Sequence, residues 1–372
     1  MKILLLGGTG AIGRPLVKRL AEHENNKITV TTRAAYTSTK NVQYIQGNAH
    51  EKCFVERICK QKYDAIVDFM VYETEEFQTL SQLLLGATNQ YIFMSSARVY
   101  AESSEKLTED SERLLDTIKD KKYLATNEYA LKKARQENIL INSKAKNWTI
   151  IRPYITYNTN RLQLGTLEKE FWLRRALQGK TVVLTKKTAE AYTSLTYGED
   201  VSEYLEKIVG NKNCIGKIYH IVNEESKKWK EVLGIYNRVF EKKTGNPFRY
   251  IITDEYQAIG VALGTTYQMK YDRFYNRSFD CSRVRNDCSY SSTFTDMEYG
   301  IALCLETFLE NSHFNPEVNW KYEGLMDRLS KEKISLTKVP GIKNKIKYFM
   351  WRNIPCFVMR FIEETKNILV AI

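Results

Sequence analysis

Short apolar runs alternate with amphipathic stretches through the first 155 residues. Ile3 to Leu6, Ile28 to Thr32, Val42 to Gln46, Asp64 to Phe69, Tyr91 to Met94 and Trp148 to Ile151 read as strands, each rich in aliphatic, β-branched or aromatic side chains. Between them, Arg14 to His23 places Leu16, Val17, Leu20 and Ala21 at helical spacing. Glu51 to Cys59 and Thr74 to Leu85 also read as helices, and Tyr123 to Glu137 is built from strong helix formers. Ala101 to Lys122 lacks a core pattern and predicts a surface loop or a small helical excursion. Strand alternating with helix predicts an α/β fold with a doubly wound parallel sheet, whose ligands sit at the carboxyl ends of the strands.

Beyond residue 154 the pattern is mixed. Phe171 to Gln178 reads as a helix, Gly179 to Leu184 and Thr193 to Thr196 as strands, and Val201 to Ile208 as a helix capped by Asp200. Gly216 to Val222 is a further strand and Trp229 to Phe240 a further helix. The expected organisation is a nucleotide-binding core over 1–154 and a smaller C-terminal α/β lobe for substrate over 155–330, with some segments returning to the core. A basic tail follows over 331–372.

Composition narrows the class. The chain has 372 residues, 43% of them hydrophobic and 27% charged, as in an ordinary globular protein. No apolar run reaches the roughly 18 residues of a membrane span, and the N-terminal apolar stretch is too short for a signal peptide. Seven scattered cysteines without a Cys-x-x-Cys pair fit a reducing cytoplasm, with neither a disulfide framework nor a zinc site. With only four histidines, no metal site is expected. The net charge of +12 suits an anionic ligand, nucleic acid or a membrane surface. Half of that excess lies in the tail, where nine Lys and Arg oppose Glu332, Glu363 and Glu364 among interleaved Trp and Phe. Such a stretch fits peripheral contact with an anionic membrane, or a helix docked on the core or on a second subunit of a homodimer.

The chemistry begins at Gly7-Gly8-Thr9-Gly10-Ala11-Ile12-Gly13, between the first strand and the first helix. Glycines let the backbone turn tightly and approach a pyrophosphate, which the N–H groups at the helix start then face. Arg33 ends the second strand, where an acidic residue would accept bonds from a ribose 2′-hydroxyl. An arginine there pairs instead with a 2′-phosphate, which points to NADP ahead of NAD. Asn48, Phe69-Met70 and Ser95-Ser96 fall at other strand ends. Tyr129 and Lys133 are one helical turn apart, so an ammonium lies beside a phenol and favours the phenolate. Such a tyrosine exchanges a proton with a substrate hydroxyl while a nicotinamide moves a hydride.

These motifs in combination resemble the extended short-chain dehydrogenase/reductases of the NAD-dependent epimerase/dehydratase family. The resemblance rests on the glycine turn, Phe93-Met-Ser-Ser-Ala-Arg-Val-Tyr100, Leu107-Thr-Glu-Asp110, Tyr129-Ala-Leu-Lys-Lys133 and Ile151-Arg-Pro-Tyr154. Thr193-Ser-Leu-Thr196 with Asp200, and Gly216-Lys-Ile-Tyr-His-Ile221, extend it over roughly residues 1–330. It implies a Rossmann domain with a substrate lobe for a nucleotide-diphosphate sugar. It also implies Ser96, rather than Ser95, as the catalytic hydroxyl, with Tyr129 as acid/base and Lys133 as its partner. Cofactor contacts are expected from Gly7, Thr9, Gly10, Ala11, Ile12 and Gly13, from Arg33, Asn48, Ala49 and Phe69, and from Lys133 and Tyr154. Arg98 and Arg161 are candidates for the substrate, and Arg152 for the active site or an ion pair.

Departures shape the expected activity. Members that eliminate water at carbons 4 and 6 carry an Asp-Glu pair after the catalytic hydroxyl, and this chain has Ala97 and Arg98. A 4,6-dehydratase is therefore disfavoured against an NAD(P)-dependent epimerase or ketoreductase. Asn48 replaces an aspartate that often holds the adenine amine, and Ala101 replaces a glycine. Phe171 through Asp280-Cys-Ser-Arg283 to Gly300-Ile301 also resembles a subgroup with chloroplast RNA-binding members. A non-catalytic RNA-binding or scaffold protein is thus the alternative. The retained Ser96, Tyr129 and Lys133 and the lack of an aromatic stacking motif argue against nucleic acid.

Overall fold

The computed structural model describes residues 1–370; residues 371 and 372 of the tail, and the side chains of residues 363, 364 and 366–370, lie outside the described residues. The chain divides into two compact units.

The first unit comprises residues 1–158, 194–226 and 277–297. Seven strands make one parallel sheet: β1 (Lys2–Leu6), β2 (Lys27–Thr32), β3 (Val42–Gln46), β4 (Tyr63–Asp68), β5 (Thr88–Met94), β6 (Trp148–Pro153) and β7 (Lys217–Ile221). Their order is β7-β6-β5-β4-β1-β2-β3, all neighbours parallel. Helices α1 (Gly13–Ala21), α2 (Lys52–Ile58), α3 (Thr74–Gly86), α4 (Tyr129–Ile141) and α5 (Gly198–Ile208) cover it. Coverage on both faces explains the unbroken apolar runs: Ile3, Leu4, Leu5 and Leu6 are all fully buried. Phe54, Phe77, Leu80 and Leu84 of α2 and α3 form one core cluster with Leu4, Leu6, Ile66 and Phe93 of the sheet. The strand order reverses between β1 and β4, which opens the ligand crevice of such folds at their carboxyl ends.

The second unit comprises residues 159–193, 227–276 and 298–372 and is mainly helical. Its strands are short: Val182–Thr185 pairs with Tyr250–Thr253 in parallel, and Tyr192–Thr193 with Lys227–Lys228 antiparallel. Trp172 is fully buried, with its ring 4.5 Å from that of Tyr236. Arg175, also fully buried, meets Glu323 at 2.6 Å, Asp327 at 3.0 Å and Glu332 at 3.2 Å. Three carboxylates around one guanidinium replace the water it lost, so these segments are tied by charge as well as by apolar contact.

Three local expectations are corrected. The helix expected over 123–137 is two: Lys121–Leu124, capped by Asp120, and α4, whose first turn is capped by the Glu128 carboxylate accepting from the Ala130 N–H. Side-chain acceptors before each start interrupt the run of helix formers. The strand expected over 193–196 is split between Tyr192–Thr193 and Thr196–Tyr197, which pair with different partners. Asp200 does not cap α5, which begins at Gly198; its carboxylate accepts from the Thr295 N–H and hydroxyl, both at 2.8 Å.

Candidate functional site

The glycine turn leaves β1 at Gly7, whose φ of +69° favours glycine over any residue with a side chain. Its N–H donates to Thr31 Oγ1 of β2 at 3.0 Å, which anchors the turn to the neighbouring strand. Gly13 opens α1 against the backbone of Gly8; a Cβ there would lie 2.6 Å from the Gly8 carbonyl. Gly10 is different. It is exposed, and a Cβ would meet no protein atom within 4 Å. The fold itself demands Gly7 and Gly13, whereas the space beside Gly10 is open for a ligand. The Arg14 and Leu16 N–H groups donate to the Gly10 and Ile12 carbonyls and Pro15 has none, so it is the amides of Ala11, Ile12 and Gly13, at the start of α1, that are left to an anion. Gly198, at the start of α5, also packs on the turn, and a Cβ there would lie 2.7 Å from the Ala11 carbonyl oxygen. The donor set and the open cradle fit a dinucleotide phosphate.

Arg33 is exposed at the end of β2, and its guanidinium has no carboxylate partner among the described residues. Its carbonyl accepts from Gln46 Nε2 at the end of β3. Asn48 follows β3 and is partly occupied: its amide oxygen accepts from the His50 N–H at 3.2 Å, an Asx turn that leaves one lone pair. Ala49 is buried in the core cluster beside it. Phe69 is half-buried after β4, and its N–H donates to the Leu6 carbonyl. Tyr154 is buried after β6 with its ring 5.3 Å from Phe279.

The two serines after β5 have different partners. Ser95 Oγ donates to Glu137 Oε1 at 2.6 Å and is locked in the core. Ser96 turns the other way, its hydroxyl accepting from the Arg98 N–H at 3.2 Å. Tyr129 is the first residue of α4, and Lys133 follows one turn on. The Lys133 ammonium is almost fully buried; it donates to the Met94 carbonyl at 2.7 Å and lies 6.0 Å from the Tyr129 ring centre. Arg98 also lies by that ring, 5.3 Å from its centre, and pairs with Glu128. Met70, whose carbonyl is 3.5 Å from the Lys133 ammonium, would touch a Cβ at Gly7. The glycine turn, Lys133, Tyr129, Arg98 and Ser96 therefore form one chain of contacts.

Two acidic residues missed in the sequence complete the cluster. Asp68 ends β4 fully buried and accepts from Tyr91 Oη at 2.7 Å, the Met70 N–H at 2.9 Å and Tyr72 Oη at 3.3 Å. Burial pushes its carboxyl up despite these bonds and the Lys133 ammonium. Burial pushes the Lys133 ammonium down, to about 8, while Asp68 and Glu137 resist that fall. A carboxylate closing the apolar run Ala65-Ile66-Val67 was the legible signal for Asp68. Glu137 accepts from Arg152 at 2.7 and 2.8 Å and from Arg113 at 3.2 Å. Burial opposes its ionisation, but the Arg152 charge outweighs that and holds its pKa below the usual range. Arg152 is thus half of a buried structural pair. Arg161 belongs to the second unit, where it meets Glu168 at 3.5 Å on the rim of a cavity with Lys169 and Arg174.

A model of the NAD-dependent epimerase/dehydratase family matches residues 3–222. Among solved structures, the chain is similar to a UDP-glucuronic acid 4-epimerase from Bacillus cereus in complex with UDP-glucuronic acid and NAD. Identity is 16% and the TM-score 0.61, with 83% of this chain and 99% of that one covered. It is also similar to a dTDP-glucose 4,6-dehydratase from Bacillus anthracis in complex with NAD, at 17% identity and TM-score 0.62, covering 84% and 97%. A third is the enzyme WbmH from Bordetella bronchiseptica in complex with NAD+, at 15% identity and TM-score 0.63, covering 84% and 99%. At these identities the likeness is one of fold. No curated protein matches the chain.

Proposed function

The chain belongs to the NAD-dependent epimerase/dehydratase family, and from that premise we propose that it is an NAD(P)-dependent epimerase or ketoreductase of a nucleotide-diphosphate sugar. One observation carries the proposal: the buried Lys133 ammonium, held by the Met94 carbonyl, faces the Tyr129 ring one turn away at the carboxyl ends of β4 and β5. A dinucleotide-binding scaffold alone has no use for a desolvated ammonium against a phenol.

The roles follow from charge and reach. The Lys133 ammonium favours ionised Tyr129, and the phenolate accepts the proton of a substrate hydroxyl or returns it. The Ser96 hydroxyl orients the substrate oxygen. Glu137 takes the Ser95 hydroxyl, whereas the Ser96 hydroxyl accepts from the Arg98 N–H and keeps its own proton to donate. A nicotinamide cofactor, when bound, supplies hydride exchange at the sugar carbon. The turn from Gly7 to Gly13 and the start of α1 would hold its pyrophosphate, and Arg33 would select a 2′-phosphate, which favours NADP. Thr9, Ala11 and Ile12 of the turn, with Asn48, Ala49, Phe69 and Tyr154, would line the rest of the cofactor. Arg98 would bind the substrate. Ala97 and Arg98 offer no acid/base pair after Ser96, so oxidation–reduction or epimerisation is preferred to loss of water. The relatives in complex with NAD, one of them with a nucleotide sugar, support the substrate class.

The test is incubation with UDP-, dTDP- and GDP-hexoses and either NAD+ or NADP+, followed by mass spectrometry of the sugar. Tyr129→Phe is expected to lower turnover by about a hundredfold or more while cofactor remains bound. Turnover at the wild-type rate in Tyr129→Phe would overturn the assignment.

A further inference from the structure

Thirty residues, Lys333 to Ile362, contain seven basic side chains and no Asp or Glu. In the second unit they include the helix Ile342–Asn353 and the first half of the helix Cys356–Val370, whose Glu363 and Glu364 follow them. The first is seated by Tyr348 and Trp351, both almost fully buried, against the helix Trp320–Leu329. Gly324 permits the close approach, since a Cβ there would lie 2.5 Å from the Tyr348 carbonyl oxygen. Tyr348 Oη donates to Asp327 at 2.8 Å. This helix therefore has a fixed orientation and a defined outer face.

The outer face is apolar. Ile342, Ile346 and Phe349, spaced by four and three, are 71%, 52% and 55% exposed. Phe357 and Phe361 of the next helix, four apart, are 68% and 71% exposed. Outside this stretch, only Tyr299 among the large apolar side chains of the described residues is more than half exposed. At 100° per residue Lys343 and Lys345 flank the Ile342–Ile346–Phe349 stripe on its two sides. Lys343, Lys345 and Lys347 have no carboxylate partner among the described residues.

We infer that this face is a membrane-surface anchor that lies in the headgroup region of an anionic phospholipid leaflet. The stripe of Ile and Phe enters the acyl boundary, and the lysines on either side meet phosphates. Charge decides against a second copy of the chain, which would set seven positive side chains against seven. No helix among the described residues is long and apolar enough to cross a membrane, which fits contact along its surface.

The test is co-sedimentation of the full-length protein with vesicles of phosphatidylcholine alone, or of phosphatidylcholine and phosphatidylglycerol in equal parts. Pelleting is expected with the anionic vesicles at low salt, weakening as salt is raised. Lys343→Gln, Lys345→Gln and Lys347→Gln together should weaken partitioning by about a hundredfold, at about fivefold per lysine. Phe349→Ser with Phe361→Ser should abolish it with unchanged circular dichroism. The inference is overturned if wild type does not pellet with anionic vesicles at low salt, or pellets equally with neutral ones. It is also overturned if the same residues instead govern self-association or RNA retention with no vesicle binding.

Discussion

Lys133 and Asp68 share one buried setting in which each charge makes the other tolerable. Burial favours the neutral form of both, and their opposite signs restrain that tendency. Replacing Asp68 by Asn removes the negative charge and keeps the side-chain volume, so the ammonium loses support and its pKa falls further below about 8. The ionised Tyr129 then loses its neighbouring charge at lower pH. Asp68→Asn is expected to move the alkaline limb of the kcat/KM profile to lower pH, with substrate KM changed less than kcat. An unmoved alkaline limb would separate Asp68 from Lys133. Ser96, Tyr129 and Lys133 were legible as candidates because order along the chain and a four-residue spacing announce them. The partners of Asp68 were not, because Tyr91, Tyr72 and Lys133 reach it from other elements and only packing brings them together.

Among the elements, the strand-to-helix turn separates the demands of folding from those of binding. Gly13→Ala places a Cβ 2.6 Å from the Gly8 carbonyl and must push α1 off the turn. It is expected to cost about 1–3 kcal/mol, seen as a lower denaturation midpoint, and to lose cofactor as well. Gly10→Ala meets open space, so stability should stay within about 0.5 kcal/mol of wild type. Titration with NAD+ and NADP+ should nevertheless show weakened binding. Equal stability losses in the two variants would contradict this division. Helix boundaries were less legible than helix identities. The run from Tyr123 to Glu137 is helix-forming throughout, yet the side chains of Asp120 and Glu128 cap two separate starts. Asp200 looked like a cap by position, but Thr295, nearly a hundred residues on, claims its carboxylate.

For the whole molecule, His220 on β7 contributes to the acid response, beside carboxylates such as Glu137 that are held below their usual range. The His220 ring is fully buried; Nδ1 accepts from Tyr100 Oη at 3.1 Å and Nε2–H donates to the Asp280 carbonyl at 2.7 Å. Burial lowers its pKa to about 4 from the ordinary 6.5. With the folded value depressed, the unfolded chain binds the proton first, so stability present above about pH 6.5 is lost as pH falls toward 4. Asp68 acts oppositely: its raised pKa makes the folded state bind a proton first and offsets part of that loss. His220→Gln should flatten the acid limb, shifting the variant's stability relative to wild type by about 3 kcal/mol between neutral pH and pH 4. Chemical denaturation across that range measures the difference, and a constant gap would show that His220 does not titrate on unfolding. The alternating pattern and the glycine spacing were enough to determine the parallel sheet, its strand-to-helix glycine turn and the Tyr129–Lys133 pair, because period and spacing are local properties of a chain. The roles of Asp68, Glu137, Arg152 and His220, and the outward face of Ile342, Ile346 and Phe349, were decided only by tertiary structure. Burial, and the partner that compensates it, are set by which distant segments pack together.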